Sequence, residues 1–197
     1  MTPDEAAALG RCIADGGVAL FPADTVYGLA ADPESGEAVD RLYRIKGRPP
    51  RRPAAVMFFA LDDVFAALPH LGERTVGALA SLLPGPLTAV VPNPALRYPL
   101  ACADAPDRIG VRVPALGTGP RRPVLQSSAN PSGGADARRL DDVDPEIRRQ
   151  VDLELEGGEL PGTPSSVVDL SAYESRGEWR LLREGALPLA RLREALG

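Results

Sequence analysis

With 197 residues, the chain is long enough for one large domain that buries most of its apolar surface. Its residues are 44% hydrophobic and 25% charged, as in typical soluble globular proteins, which disfavours disordered and fibrous classes. The formal net charge of -5 argues against a surface that coats nucleic acid, but it permits a local basic cleft for a small anion.

The sequence does not predict a zinc site, a secretory signal or a membrane helix. Cys12 and Cys102 form no C-x-x-C pair, and His70 is the single histidine, which leaves too few ligands for a usual zinc site. The N-terminus starts acidic, and the longest apolar run, at 54–61, is far shorter than the roughly 20 residues of a membrane helix. Two unpaired-looking cysteines without a signal predict a cytoplasmic protein.

The first predicted elements are a capped helix, a short strand and a second helix. Thr2 is the expected N-cap of the first helix, Gly16 ends it, and a buried strand follows at 18–22. For the second helix, the sequence predicts Asp32 as the N-cap and Gly47 as the residue that ends it.

Further along the chain, strands and helices alternate irregularly and do not form strict β-α repeats. Strands are predicted at 54–60, 87–92, 108–114, 123–128, 151–155, 165–170 and 178–184. Helices are predicted at 61–69, 73–85 and 187–197. This order favours an α/β fold, a single domain over residues 1–197 in which three layers form around a mixed sheet.

A polar segment, FPADTVYGLAAD at 21–32, follows the first strand. Asp24, Thr25 and Tyr27 precede Gly28, and the end of a strand is where an α/β sheet usually presents ligand-binding groups. The alternative is a strand-exit loop whose hydroxyls bond to the backbone, and this segment alone does not separate the two.

The basic loop KGRPPRRP begins with the single lysine of the chain, Lys46, at the predicted end of the second helix. Arg48, Arg51 and Arg52 follow closely. A solvated charge run is the alternative, because cations also favour the C-terminal end of a helix dipole. The unique lysine and the stiffening prolines favour a loop that holds ammonium and guanidinium groups around a polyphosphate.

Later segments add hydroxyl, amide and guanidinium groups. Ser128 and Asn130, in LQSSANPSGG, can bind phosphate oxygens with nearby backbone N–H groups, although a structural turn is the commoner role. Arg112 lies inside a predicted strand and should pair with a carboxylate, either of a ligand or of the protein, with Asp169 as the protein candidate. Further candidates are Ser165, Ser166 and Arg183.

These residues suit the binding of a nucleotide. No G-x-S-x-G motif or suitably placed histidine supports a covalent hydrolase. Cations, hydroxyls and amides instead favour charge stabilisation in phosphoryl or nucleotidyl transfer.

Taken in order, the segments FPADTVYGLAAD, RLYRIKGRPPRRP, LLPGPLTAVV, RIGVRVP, SSANPSGG, SSVVDL and LLREGAL closely resemble the YrdC/Sua5 family of threonylcarbamoyl-AMP synthases. The resemblance extends from about residue 10 to 190. It implies a YrdC-like fold, a twisted mixed sheet of about seven strands with flanking helices and a concave, positively lined cleft. It also implies a nucleotidyltransferase that makes threonylcarbamoyl-AMP from L-threonine, bicarbonate or CO2, and ATP, in the first step of N6-threonylcarbamoyladenosine synthesis at position 37 of tRNA.

The resemblance assigns roles residue by residue. Lys46 and Arg48 would be catalytic by neutralising the pyrophosphate leaving group together with Mg²⁺ that ATP carries, so no protein-bound metal is expected. The residues implied for ATP binding are Lys46, Arg48, Arg52, Ser128, Asn130 and Arg183. The residues implied for threonine binding are Thr25, Tyr27, Arg112 and Ser165 or Ser166. The adenylate would pass to the tRNA threonylcarbamoyltransferase machinery.

The sequence departs from the family pattern at several positions. Arg52 stands where many relatives carry Asn, and Met57 stands near a position where they carry His. Ala23 and Asp24 replace the commoner Thr and Glu. These differences affect the expected contacts of threonine and ATP, and the chain resembles the short, single-domain YrdC form of the family.

Two other functions fit parts of the same sequence. A relative that forms a carbamoyl-adenylate with a different acceptor would share the motifs. An RNA-binding module could use the basic loop on tRNA or double-stranded RNA, although the net charge of -5 disfavours tight binding.

Overall fold

One mixed sheet of nine strands runs through residues 1–49 and 52–197, which are the residues that the computed structural model describes. The strands are β1 (Ala19–Pro22), β2 (Tyr27–Ala31), β3 (Ala55–Met57), β4 (Leu87–Pro92), β5 (Arg108–Arg112), β6 (Val124–Ser128), β7 (Leu153–Glu154), β8 (Ser166–Asp169) and β9 (Arg180–Arg183). The helices are α1 (Pro3–Ala14), α2 (Gly36–Lys46), α3 (Leu61–Ala67), α4 (Glu73–Leu82), α5 (Pro99–Cys102), α6 (Pro145–Arg148), α7 (Tyr173–Arg176) and α8 (Leu189–Leu196), with a short 3-10 helix at Leu140–Asp142.

The strands lie across the sheet in the order β7-β1-β2-β6-β3-β5-β4-β8-β9. The pairs β1/β7, β3/β5 and β4/β8 are parallel, and the remaining neighbours are antiparallel. The predicted mixed sheet is therefore confirmed, although the described residues form nine strands where about seven were expected.

The strand β2 corrects the prediction of a loop after β1. Tyr27–Ala31 pairs antiparallel with β1, and all five of its residues are buried. Because both faces of β2 are covered, no alternation of apolar and polar residues marks it in the sequence. The connecting turn contains Asp24 at φ 65°, a left-handed conformation that non-glycine residues seldom adopt. Asp24 and Thr25 thus sit on a tight hairpin turn.

The helix starts follow from local capping. Thr2 and Glu5 form the reciprocal hydrogen bonds of a capping box, so the predicted start of α1 is confirmed. For α2 the prediction is wrong: Ser35 is the N-cap, and the Asp32 carboxylate instead accepts the N–H of Glu34 at 2.9 Å. Gly47 ends α2 at φ 59°, as predicted. No helix in the described part of the chain is long and apolar enough to cross a membrane.

The two faces of the sheet are covered differently. One face carries Leu20, Leu29, Val111 and Leu125 into a large core with side chains of α2, α4 and α8. On the opposite face, Leu9 and Ile13 of α1 pack on a smaller core at the β1 end, which contains Phe21, Ala30, Met57 and Val124. The rest of that second face, from β6 across to β9, carries polar side chains into a cavity. The site therefore lies where α1 leaves the sheet uncovered.

Candidate active site

A cavity of about 540 Å³ lies on the uncovered sheet face. Successive side chains of a strand point to opposite faces, so alternate residues line it. Arg108, Gly110 and Arg112 of β5 line the cavity, whereas Ile109 and Val111 point into the large core. The sheet thus supplies a rigid floor, and the lining follows from the two-residue period of its strands.

The lining is strongly basic although the protein is acidic overall. The arginines that line the cavity are Arg48, Arg108, Arg112, Arg180 and Arg183. Among the described residues that line it, Asp169 supplies the single carboxylate, and it pairs with Arg108 at 3.7 Å and Arg180 at 3.3 Å. A concave site with excess positive charge attracts anions. The cavity is therefore suited to a phosphate-bearing or carboxylate ligand.

Lys46 lies beside this cavity and is only 4% exposed. Its ammonium donates to Asn130 O at 2.8 Å, Asn130 Oδ1 at 2.7 Å, Ser128 Oγ at 3.2 Å and Ser128 O. Burial, reinforced by the nearby Arg48 cation and opposed by Asp136, lowers the pKa of Lys46 to about 8. With three N–H groups and four protein acceptors, Lys46 holds the 128–130 turn in place. It is not among the residues that line the cavity.

Arg48 does line the cavity. Its guanidinium donates to the carbonyls of Arg52, at 3.5 Å, and Pro53, and lies 5.7 Å from the centre of the Tyr43 ring. The Arg48 Nε is buried and has no acceptor in the described structure. The side chain is therefore fixed in position, and one of its N–H groups has no protein partner among the described residues.

The predicted SSAN segment forms the adjoining turn. Ser128 lines the cavity, and its hydroxyl lies 2.5 Å from Asn130 Oδ1. Asn130 is buried, and its Nδ2 donates to Gly134 O at 2.5 Å. Ser132 N donates to Lys46 O at 3.0 Å. The Asn130 side chain thus holds the turn together, while Ser128 reaches the cavity.

Arg112 is a buried residue of the lining and pairs with Asp24, not with Asp169. Its Nη2 also donates to Ala23 O and Thr25 Oγ1, both at 2.8 Å. Burial lowers the pKa of the guanidinium, and the Asp24 carboxylate opposes this shift. The Arg112 Nε is buried without an acceptor in the described structure. Thr25 and Arg112, predicted from separate segments, are therefore in direct contact.

The structure separates the two serines that the sequence left as alternatives. Ser165 lines the cavity, and its hydroxyl lies 2.9 Å from Thr88 Oγ1. The Ser166 hydroxyl points to the other side, where it donates to Leu187 O at 2.7 Å. Ser165 is therefore the serine of this pair that faces the site.

Arg183 reaches the cavity because β9 is irregular. Its Nη2 donates to Ser165 O at 2.7 Å. In a regular strand, Arg180 and Arg183 would point to opposite faces, since they are three residues apart. The register of β9 shifts between Val167 and Val168 of β8, which turns both arginines to the cavity.

Six expected site residues are not part of the cavity lining in the described structure: Thr25, Tyr27, Lys46, Arg52, Asn130 and Ser166. Thr25, Lys46 and Asn130 nevertheless bond to the lining residues Arg112 and Ser128. Ser166 is turned away, and Arg52 is exposed outside the lining. The Tyr27 hydroxyl is engaged elsewhere: it accepts from Gly157 N at 2.8 Å and lies 3.0 Å from Gly158 O. Met57 is fully buried in the smaller core. Arg51 lies outside the described residues.

Other lining residues were not predicted from the sequence. They include Thr88, Arg108, Gln126 and Arg180. Two of them had a usable signal, because Arg108 shares a strand face with Arg112 and Gln126 shares one with Ser128. A polar residue that lies an even number of positions from a known site residue on the same strand is therefore expected to line the same cavity.

Comparisons with known proteins agree on one family. The family model Sua5_yciO_yrdC, described as "Telomere recombination", matches residues 11–185. A threonylcarbamoyl-AMP synthase of Pyrococcus abyssi is 30% identical over 194 residues, which cover 94% of this chain and 55% of that protein. One of Hahella chejuensis is 33% identical over 162 residues, which cover 78% of this chain and 87% of that protein.

A solved structure matches the fold over the whole chain. The crystal structure of P. abyssi Sua5 complexed with L-threonine has a TM-score of 0.88 and 27% identity, and the match covers 100% of this chain and 58% of that one. The chain thus spans little more than half the length of the P. abyssi protein. Since the family model matches most of its residues, the chain belongs to the Sua5/YciO/YrdC family.

Proposed function

We propose that this protein is an L-threonylcarbamoyladenylate synthase, a nucleotidyltransferase. It converts L-threonine, bicarbonate or CO2, and ATP into threonylcarbamoyl-AMP and pyrophosphate. Relatives at 30% and 33% identity bear the name threonylcarbamoyl-AMP synthase, and a Sua5 structure at 27% identity contains L-threonine. The observation that carries the proposal is a cavity lined by five arginines and one carboxylate in a protein of net charge -5.

Two groups of residues at the cavity suit the two larger substrates. Arg112, with Thr25 and Ser165 nearby, provides a buried guanidinium for the threonine carboxylate. Arg48, Ser128 and Arg183 bind the ATP phosphates, with Mg²⁺ carried by ATP. Lys46 and Asn130 support this group by holding the 128–130 turn. Arg52 stays a weaker candidate for ATP binding.

The mechanism relies on proximity and charge neutralisation. The amine of threonine adds to CO2 and loses a proton to water to form a carbamate, and a carbamate oxygen attacks the α-phosphorus of ATP. The bond from that phosphorus to the bridging oxygen breaks, and pyrophosphate leaves. Arg48 and Arg183 stabilise the charge that develops on the leaving group, and no side-chain nucleophile is needed.

Pyrophosphate release tests the proposal. Release from ATP should require both L-threonine and bicarbonate, and omission of either should abolish it. Pyrophosphate release that does not depend on threonine would contradict the assignment. Release that requires a different amino acceptor in place of threonine would support the alternative carbamoyl-adenylate chemistry. A salt-sensitive gel shift with RNA in the absence of any ATP turnover would favour the RNA-binding alternative.

The wider setting belongs to the same proposal. The chain works as one YrdC-like domain, and its product passes to the tRNA threonylcarbamoyltransferase machinery for the first step of N6-threonylcarbamoyladenosine synthesis at position 37. Any contact of this chain with tRNA is weak, because its net charge is -5. The cytoplasmic location stays a prediction, which rests on the two unpaired cysteines.

A further inference from the structure

Gln126 is a polar residue at the floor of the cavity that has no role in the reaction proposed above. It lies on β6, two residues before Ser128, and its side chain faces the cavity while only 6% of the residue is exposed. A long polar side chain this deeply buried needs hydrogen-bond partners, because an amide without them loses its solvation.

The orientation of the Gln126 amide follows from its contacts. Its Oε1 accepts from Arg112 Nη1 at 3.3 Å. Its Nε2 lies over Gly28, where an added Cβ would meet that nitrogen at 2.6 Å. Since the oxygen faces the cation, the amide N–H groups are directed elsewhere. In the described structure, no protein acceptor is bonded to Nε2.

Arg112 next to it also has N–H groups that no protein atom uses. Its Nη2 is engaged by Ala23 O, Asp24 and Thr25 Oγ1. In contrast, Nη1 donates to Gln126 alone among the described residues, and Nε is buried without an acceptor. A guanidinium and an amide with free N–H groups therefore stand together at one place in the cavity. A carboxylate, with two oxygens that each accept hydrogen bonds, matches this donor set.

We propose that Gln126 is a further binding residue for the amino-acid substrate, and that its side-chain amide donates to the substrate carboxylate beside Arg112. This inference rests on the proposed function, in which that substrate is L-threonine. The Gln126 amide adds a neutral hydrogen-bond donor beside the Arg112 guanidinium, whose charge the Asp24 carboxylate already balances.

Two variants test whether Gln126 binds the substrate itself or only positions the Arg112 side chain. Gln126→Glu keeps an oxygen acceptor for Arg112 but replaces the donor with a negative charge, and Gln126→Met removes both polar groups at similar length. Both should raise the KM for L-threonine about tenfold or more, as expected for a lost hydrogen bond to a charged group, with the KM for ATP changed by less than about twofold. Gln150→Met, on an exposed glutamine, is the control and should leave both KM values unchanged.

Pyrophosphate release with varied threonine and varied ATP gives these constants, and thermal unfolding shows that each variant is folded. If Gln126→Met does not fold, Gln126→Glu carries the test alone. A folded Gln126→Glu enzyme with the wild-type threonine KM would overturn the inference and leave the proposed function intact. A wild-type protein whose pyrophosphate release ignores threonine would overturn the proposed function, and this inference with it.

Discussion

At the scale of single residues, Lys46 shows how burial defines a role. Its ammonium is surrounded by oxygens of Ser128 and Asn130, so it acts on the site through the turn that those residues form. A free surface lysine would instead keep its hydration and its mobility. The uniqueness of this lysine in the chain is consistent with a position that only a compact ammonium fits.

Substitution of Lys46 should therefore reduce activity strongly. Lys46→Ala should fold but lose most of the proposed synthase activity, and its unfolding free energy should fall by about 1–3 kcal/mol because buried oxygens lose their donor. Lys46→Arg should not restore full activity, since a planar guanidinium does not fit the same four acceptors. Pyrophosphate release and urea unfolding measure the two effects. Full activity in either variant would show that the reaction does not depend on the Lys46 ammonium.

The pKa of Lys46 predicts opposite pH trends for stability and activity. Its pKa is about 8 in the folded protein and 10.5 ordinarily, so between these values the unfolded chain binds more protons. The contribution of Lys46 to the unfolding free energy should therefore rise from pH 8 to 10.5. Activity should fall over the same range, because neutral Lys46 has fewer N–H donors for the turn.

Comparison with Lys46→Met isolates this group. The unfolding free energy of the wild type minus that of the variant should increase from about pH 8 to about pH 10. A difference that stays flat or decreases would show that the folded protein does not lower the pKa of Lys46.

At the scale of elements, the ends of α2 and the register of β9 position the site. α2 ends at Lys46, the first residue of the basic loop, and the left-handed Gly47 that follows lets the chain turn toward the cavity. The shifted register of β9 turns Arg183 toward Ser165. Local backbone features thus decide which side chains face the ligand.

Substitutions at the start of α2 test which residue caps this helix. Ser35→Ala should lower the unfolding free energy by about 1 kcal/mol, because Ala38 N loses its capping oxygen. Asp32→Ala should cost less, since Asp32 bonds to Glu34 N and Arg122 ahead of the helix. Urea unfolding of both variants decides between the two caps. A larger loss for Asp32→Ala would support the capping residue expected from the sequence.

At the scale of the whole molecule, charge is separated between the cavity and the remaining surface. Five arginines line the cavity although the protein carries a net charge of -5. Such a focused field raises the local concentration of an anionic substrate and weakens with added salt. The open half of one sheet face therefore defines both the shape and the electrostatics of the site.

Two charge reversals with the same net change test this separation. Arg180→Glu, in the cavity lining, should raise the KM for ATP several-fold, on the order of threefold to tenfold. Arg176→Glu, in the exposed α7 outside the lining, should leave it within about twofold. Equal effects of the two variants would mean that net charge, and not its placement, governs ATP binding.

Much of this arrangement could be predicted from the sequence, and the exceptions have physical causes. Arg48, Arg112, Ser128 and Arg183 were expected at a site, and all line the cavity. β2 was missed because it is buried on both faces.

Longer-range geometry explains the remaining differences. The choice between Ser165 and Ser166 needed the face of β8, which depends on register rather than on residue type. The partner of Arg112 could not be predicted because Asp24 lies 88 residues away in the chain.

The most direct test of the account is whether the cavity makes threonylcarbamoyl-AMP. The wild type, incubated with ATP, L-threonine and carbon-labelled bicarbonate, should form an adenylate that carries the label, detected by mass spectrometry. Arg48→Ala and Arg112→Ala should form little of it, whereas Arg176→Ala, outside the cavity lining, should match the wild type. A labelled adenylate formed equally well by Arg112→Ala, or none formed by the wild type, would contradict the account.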